Sequence, residues 1–245
     1  MNWEDNAIVL SNKPYGENSS IANLLTEFHG RHLGYIQGAF GKKLRGVLQP
    51  GNFVKAVWRG RIEDQLGNFR VELISGNVNN YFHDSIRLSG LSSACALCLN
   101  TLPEREECTL IYRGLLDLIS NHEVTNESWI ERYIFWELGM LSVLGFGLDL
   151  SSCAVTGVKE NLKWVSPKTG RAVCEEIGLP YENKLLRLPQ FIYNNKIHPS
   201  ASDLKSALQL TSYFFEKNVL DLFGKKMPLA RVRFLDKVSN SYSES

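Results

Sequence analysis

The chain has 245 residues, 44% of them hydrophobic, and a formal net charge of +1. That is enough for one large or two modest cores, and it excludes a polycation. Any nucleic-acid surface must therefore come from local asymmetry. Residues 31–70 supply it, with Arg31, Lys42, Lys43, Arg45, Lys55, Arg59, Arg61 and Arg70 set against Glu63 and Asp64. No apolar run approaches the ~18 residues that would span a bilayer. The polar start Met1-Asn-Trp-Glu-Asp-Asn6 is unlike a signal peptide, so five cysteines read as reduced thiols of a cytoplasmic protein.

In chain order, Ala7 to Leu10 is a short apolar strand ending at the turn signal Lys13-Pro-Tyr-Gly16. Ser20 to Phe28 is a second strand, weakened by Asn23, and His29-Gly30 closes it. Leu33 to Phe40 is a third, with Gly34 and Gly38 marking a bent or closely approached backbone. Gly41-Lys-Lys-Leu-Arg-Gly46 then reads as a mobile basic loop able to follow a phosphate backbone, or equally as a solvated hairpin tip. Gln49-Pro-Gly51 turns the chain into Asn52 to Arg59, which alternates. Val54, Ala56 and Trp58 share one face, and Phe53, Lys55, Val57 and Arg59 share the other, a combination suited to stacking bases and neutralising phosphates. After a turn, Phe69 to Ile74 is a fifth strand. Five short strands joined by Gly-rich turns within residues 1–80 suggest a small closed barrel of the OB type.

Beyond Asn77-Val-Asn-Asn80 the period becomes helical. Ser85 to Leu99 is one helix, stopped by Pro103. Glu104 to Ser120 is a second, with acidic residues in its first turn. A third is capped by Asn126 and carries Ile130, Ile134, Leu138 and Leu141 on one side. Residues 148–189 form a small β-rich insertion containing Cys153, Cys174 and Trp164. A last helix from Ser202 to Phe223, capped by Ser202 or Asp203, is followed by the basic stretch Lys225 to Arg233, and residues 239–245 are expected to fray. The fold class is α+β multidomain, with a barrel domain at 1–80 and a helical domain at 81–245 carrying the 148–189 insertion.

Motifs for chemistry are few. Cys95-Ala-Leu-Cys98 has CxxC spacing but lies in an apolar helix with no second CxxC, so buried thiols of a core are the reading. Cys153 and Cys174 lack partners at the CxxC positions, which hold Thr156 and Ile177, and two thiolates do not close a structural zinc site. His83, His122 and His198 are remote in sequence. His29 and His32 flank Arg31 in a turn and read as surface histidines. No phosphate-binding Gly-rich motif, GxSxG or HExxH occurs. An enzyme with a dispersed site and a barrel that binds only protein remain as alternatives.

The series Ala7-Ile-Val-Leu10, Pro14-Tyr-Gly-Glu17, Leu25-Thr-Glu-Phe-His-Gly-Arg31, Gly38-Ala39, Leu48-Gln-Pro-Gly51, Leu144-Gly-Phe-Gly-Leu148 and Cys153 resembles the RecO family of bacterial recombination mediators. The resemblance implies an N-terminal OB-fold, a C-terminal helical domain and a zinc-ribbon-like insertion within it. It implies binding to single- and double-stranded DNA, strand annealing, and partnership with RecR and the acidic tail of single-strand-binding protein. It further implies recombinase loading on protein-coated single strands during gap repair, without a nucleotide, cofactor or chemical step, in the cytoplasm at the nucleoid. The departures at Thr156 and Ile177 make zinc an unexpected ligand. The expected DNA contacts are Arg31, Lys42, Lys43, Arg45, Lys55, Arg59 and Arg61. The expected dock for the partner tail lies in the helical domain near Arg113, Arg132, Arg231 and Arg233.

Overall fold

Strand β1 (Asn2–Tyr15) is the element on which the barrel closes, because its two halves pair with different neighbours. The structure is a computed structural model that describes residues 2–61, 66–76, 81, 83–121 and 123–241. The second half of β1 pairs with β2 (Ser19–Thr26), and its first half pairs with β4 (Phe53–Arg59). Strand β3 (Arg31–Gln37) lies between β2 and β5 (Gly67–Ser75), and β5 pairs with β4. The result is a closed barrel of order β1-β2-β3-β5-β4. Ala7, Val9, Ala22, Leu24, Ile36, Val54, Ala56, Trp58, Phe69 and Val71 fill it. Alternation in β4 is as the sequence has it, with Val54, Ala56 and Trp58 inside.

The parallel β3–β5 junction pairs Gly34 with Gly67. A Cβ on Gly34 would stand 2.2 Å from the Phe69 ring, and one on Gly67 would stand 2.2 Å from the Trp58 indole. Only a missing side chain lets two backbones close over those rings. One mouth of the barrel is aromatic. Trp3 stacks on His29 at 4.2 Å and on Trp58 at 5.8 Å, and His29 Nδ1 lies 2.9 Å from Asp5 Oδ2. His32 is therefore no surface residue: it is 4% exposed on the inward side of β3.

Helices α1 (Ser85–Thr101) and α2 (Thr109–Ser120) belong with the barrel, in a compact unit of residues 1–123, while residues 124–245 form a second unit. The sequence boundary after residue 80 follows the change of period, and 77–80 lie outside the described residues. The units divide later because α1 packs on β1 and α2 on β2. That cover explains why Ala7 to Leu10 is buried on both faces and does not alternate. Asp84 caps α1 through Ile86 N–H and Arg87 N–H. Cys95 and Cys98 are buried within it, and burial pushes the Cys95 thiol up to about 12 and Cys98 well above its usual range. The second helix starts five residues later than expected. Glu104 instead bridges to Arg31, Arg105 adopts φ +64°, and its N–H donates to Arg31 O.

In the second unit, α3 (Asn126–Val143) is capped by Thr125 rather than Asn126. A three-stranded sheet of β6 (Leu162–Val165), β7 (Ala172–Cys174) and β8 (Leu186–Arg187), in order β7-β6-β8, forms the small β-rich subdomain with the short α4 (Glu175–Gly178). Helix α5 (Ala201–Phe214) begins at Ser200, whose hydroxyl accepts from Asp203 N–H while the Asp203 carboxylate accepts from Ser200 N–H. The expected helix to Phe223 changes form on the way, passing through a π-helical turn at Phe215–Leu220 and a 3₁₀ turn at Asp221–Phe223 before Gly224. The stretch expected to follow as a basic tail is a further helix, α6 (Leu229–Ser241), which buries Arg231, Phe234 and Val238; residues 242–245 lie outside the described residues. Among the described residues no helix is long and apolar enough to cross a membrane.

Candidate nucleic-acid interface

Strand register brings outward side chains from five strands into one row. Lys13 pairs with Ile21, Ile21 with Tyr35, Tyr35 with Asn68, and Asn68 with Arg59. Neighbours in such a row stand roughly 5 Å apart. A register shift between Val9 and Ser11 turns Lys13 and Tyr15 outward, where uninterrupted alternation would turn them in. Arg70 lies one outward position along β5 from Asn68, opposite Val57. At the end of the row the Tyr15 ring meets the Tyr35 ring edge-on at 6.2 Å, and the Tyr35 hydroxyl donates to Ser19 Oγ at 2.6 Å. Tyr15 is 58% exposed.

The basic loop continues from this row. Lys42, Lys43 and Arg45 are exposed, but the backbone beneath them is not a mobile tip. Ala39 and Leu48 are buried in the barrel core, and Leu44 and Val47 pack against it. Successive turns are closed by Gly41 N–H to Gly38 O, Arg45 N–H to Gly41 O, and Leu48 N–H to Leu44 O. Asn52 Nδ2 donates to Gly46 O at 2.8 Å, and Ala39 N–H donates to Asn18 O in the β1–β2 turn. The cations therefore project from a loop held against the barrel, with the half-exposed Phe40 ring beside them. Cations and aromatic faces arranged this way can neutralise phosphates and stack bases together. Register was needed to find Lys13, Tyr15 and Tyr35, because the charge count alone passes over them.

Two of the expected contacts are otherwise engaged. Arg31 has a largely buried side chain, donates through Nε to Leu102 O at 3.0 Å and faces Glu104 at 3.4 Å. It ties β3 to the segment after α1, so its guanidinium is not free to meet a phosphate. Lys55 is exposed but paired with Glu4 at 2.7 Å, which raises its ammonium above the usual value, with Glu72 opposite it on β5. Arg59 and Arg61 are exposed and, with Lys42, Lys43 and Arg45, take no ion pair among the described residues. Glu63 and Asp64, counted against these cations in the sequence, lie outside the described residues.

The four arginines expected at a partner site separate. Arg113 is exposed and faces Glu27 at 3.2 Å, within the barrel unit. Arg132 is exposed on α3. Arg231 is fully buried and paired with Glu137, so it belongs to the core of the helical unit and cannot receive a partner. Arg233 is exposed on α6. Near it in sequence, Leu222, Phe223, Leu229 and Val232 are exposed apolar side chains, and Lys225 stands over the Phe223 ring at 5.6 Å.

The chain matches the family models described as Recombination protein O N terminal over residues 1–77 and Recombination protein O C terminal over residues 83–226. It is 42% identical over 241 residues to the DNA repair protein RecO of Rhodospirillum rubrum, covering 96% of each chain. The chain belongs to the RecO family. Likeness to the RecO proteins of Rhodospirillum centenum (41% identical, 100% of this chain and 98% of the relative) and Caulobacter vibrioides (39% identical, 98% and 99%) is as extensive. Its role is in DNA repair and recombination. The RecO N-terminal match coincides with the barrel and spans every residue of the row and the basic loop.

The donors present at the ribbon positions of the insertion do not make the four-ligand set of a zinc site. Cys153 and Cys174 are two sulfurs, Thr156 Oγ1 lies 3.8 Å from Cys174 Sγ in place of a third, and the fourth position is the apolar Ile177. Zinc in a structural site asks for four N or S ligands. His122 lies outside the described residues.

Proposed function

We propose that the protein binds single- and double-stranded DNA without sequence preference, along the outward row Lys13, Tyr35, Arg59 and the adjoining loop Lys42, Lys43, Arg45. The observation that carries this reading is the register that aligns cations and aromatic rings on one barrel surface and continues it into a loop pinned by Ala39 and Leu48. A surface of this kind grips backbone and stacks bases while leaving pairing edges accessible, which is what annealing two strands requires. The protein acts by binding, with no chemical step of its own. It works with RecR to place recombinase on single strands coated by single-strand-binding protein.

The acidic, Phe-ended tail of single-strand-binding protein needs an apolar seat beside cations. Leu222, Phe223, Leu229 and Val232, with Lys225, Lys226 and Arg233, offer both ingredients, and Arg231 takes no part. Fluorescence-monitored annealing of complementary strands coated with that protein tests the two surfaces separately. Tyr35→Ala with Lys42→Ala and Lys43→Ala slows annealing of bare strands, whereas Phe223→Ala with Arg233→Ala slows only the coated ones. Annealing at the parent rate by the first variant overturns the barrel assignment.

A further inference from the structure

The aromatic mouth of the barrel carries a stack of rings that runs from the core to solvent. Trp58 is fully buried, Trp3 lies nearly parallel to it (5.8 Å, 11°), and the His29 imidazole lies nearly parallel to Trp3 (4.2 Å, 9°). The His29 side chain is 35% exposed, and among the described residues no second ring stacks on it. Asp5 fixes this outermost ring. Its buried carboxylate accepts from Asn6 N–H at 2.8 Å and from Phe28 N–H at 2.9 Å, and it lies 2.9 Å from His29 Nδ1. A carboxylate only accepts, so Nδ1 carries a proton and the imidazole is held by that edge. A polar ring is thus kept flat on an indole while much of it stays in water. Cations adjoin the stack. A Cβ on Gly60 would stand 2.2 Å from the Trp58 ring, so the backbone between Arg59 and Arg61 crosses the edge of that indole. Both arginines are exposed, and Arg59 pairs with Asn2, the neighbour of Trp3. The outward row of Lys13, Tyr35, Asn68 and Arg59 therefore leads to the mouth.

We propose that the His29 ring, backed by Trp3, is a stacking platform for an unpaired nucleobase and makes the barrel prefer single strands to duplex. The inference rests on the barrel surface being the DNA contact. A base inside a duplex has both faces covered by its neighbours. An unpaired base has a face to offer, and every base has one, so the platform selects strandedness and not sequence. The base lies on the open face of His29 and extends the stack by one ring. The phosphates on either side of it meet Arg59 and Arg61. Asp5 is a positioning residue: it holds the imidazole in place before the base arrives, so little side-chain freedom is lost on binding. The loop cations Lys42, Lys43 and Arg45 neutralise phosphates of either form of DNA and give no such preference.

The test is the ratio of single-strand to duplex affinity for the full-length protein. A labelled mixed-sequence single strand is followed by anisotropy, with a relaxed, covalently closed circular duplex as competitor, since a circle has no terminal base pair to stack. His29→Asn keeps a donor for Asp5 and removes the ring, and the ratio should fall about tenfold. His29→Phe keeps a ring and removes the donor, and the ratio should stay within about twofold of the parent. A purely structural role for His29 would weaken both forms together and leave the ratio in place. A parental ratio in His29→Asn overturns the platform, as does an equal loss in His29→Phe, which would assign the effect to the Asp5 contact. Photo-cross-linking of the unaltered protein to a strand carrying 5-iodouracil stands if either variant misfolds. Its expected product is a cross-linked peptide containing His29 or Trp3, and cross-links confined to Tyr15, Tyr35 and Phe40 overturn the proposal. A parent that binds neither form of DNA would instead refute the barrel surface itself.

Discussion

Replacing Arg231 with Met removes one half of a buried ion pair and leaves the other. Arg231 Nε donates to Glu137 Oε1 at 2.6 Å and Nη2 to Glu137 Oε2 at 3.0 Å, and both side chains are fully buried. Nη2 also lies 2.9 Å from Leu208 O and 3.2 Å from Thr211 Oγ1, and the Thr211 hydroxyl donates to Glu137 Oε2 at 2.5 Å. In the variant the carboxylate keeps Thr211 alone, and Leu208 O loses a donor. An uncompensated charge in such a place costs about 3–5 kcal/mol. Replacing both partners, Arg231→Met with Glu137→Leu, removes the orphaned charge and should recover most of that loss. Urea unfolding followed by circular dichroism at neutral pH measures both. The single variant's deficit should shrink as pH falls, since a proton relieves an unpaired buried carboxylate. A single variant that loses less than about 1 kcal/mol, or a double variant that loses as much as the single, would refute this reasoning.

Burial, aided by the nearby charges of Arg105 and His29, lowers the His32 imidazole from 6.5 to about 4. The unfolded chain therefore takes up this proton first. The stability contributed by neutral His32 is full above pH 6.5 and is lost as pH falls from there toward 4, and His32→Phe should flatten the urea midpoint across that window. Gly34→Ala should cost about 1–3 kcal/mol or more, read as a fall in melting temperature, because its methyl group meets the Phe69 ring. Elemental analysis of the untagged, reduced protein should find zinc far below one atom per chain, and stoichiometric, chelator-resistant zinc would contradict the donor set described above.

The barrel was legible where one face is wet. Val54, Ala56 and Trp58 alternate with Lys55, Val57 and Arg59 because β4 carries the core on one side only. Ala7 to Leu10 gave no such pattern, since α1 covers its outer face, and the sequence showed four residues of a strand that runs from Asn2 to Tyr15. Helix α6 was hidden by its own interior: a buried stripe of Arg231, Phe234 and Val238 reads as a basic tail until Glu137 is seen beside the arginine. The acids at 104, 106 and 107 imitate a helical first turn, but the chain there runs beside β3, with Arg105 in the left-handed region. Charge counting found Lys42, Lys43, Arg45, Arg59 and Arg61 and also gathered in Arg31. A partner 71 residues away, Leu102, decides that the last is a structural tie, and no local pattern carries such information.

The most direct test of the barrel surface as the DNA contact is the salt dependence of binding to mixed-sequence oligonucleotides, for the parent and for Lys42→Ala/Lys43→Ala/Arg45→Ala. Each phosphate neutralised contributes about 0.7 to the log–log slope on single strands and about 0.9 on duplex. The triple variant should therefore lose roughly 2 units of slope on single strands and nearly 3 on duplex, with weaker binding at every salt concentration. Slopes and affinities equal to the parent's would contradict the account and move the DNA contact away from this loop.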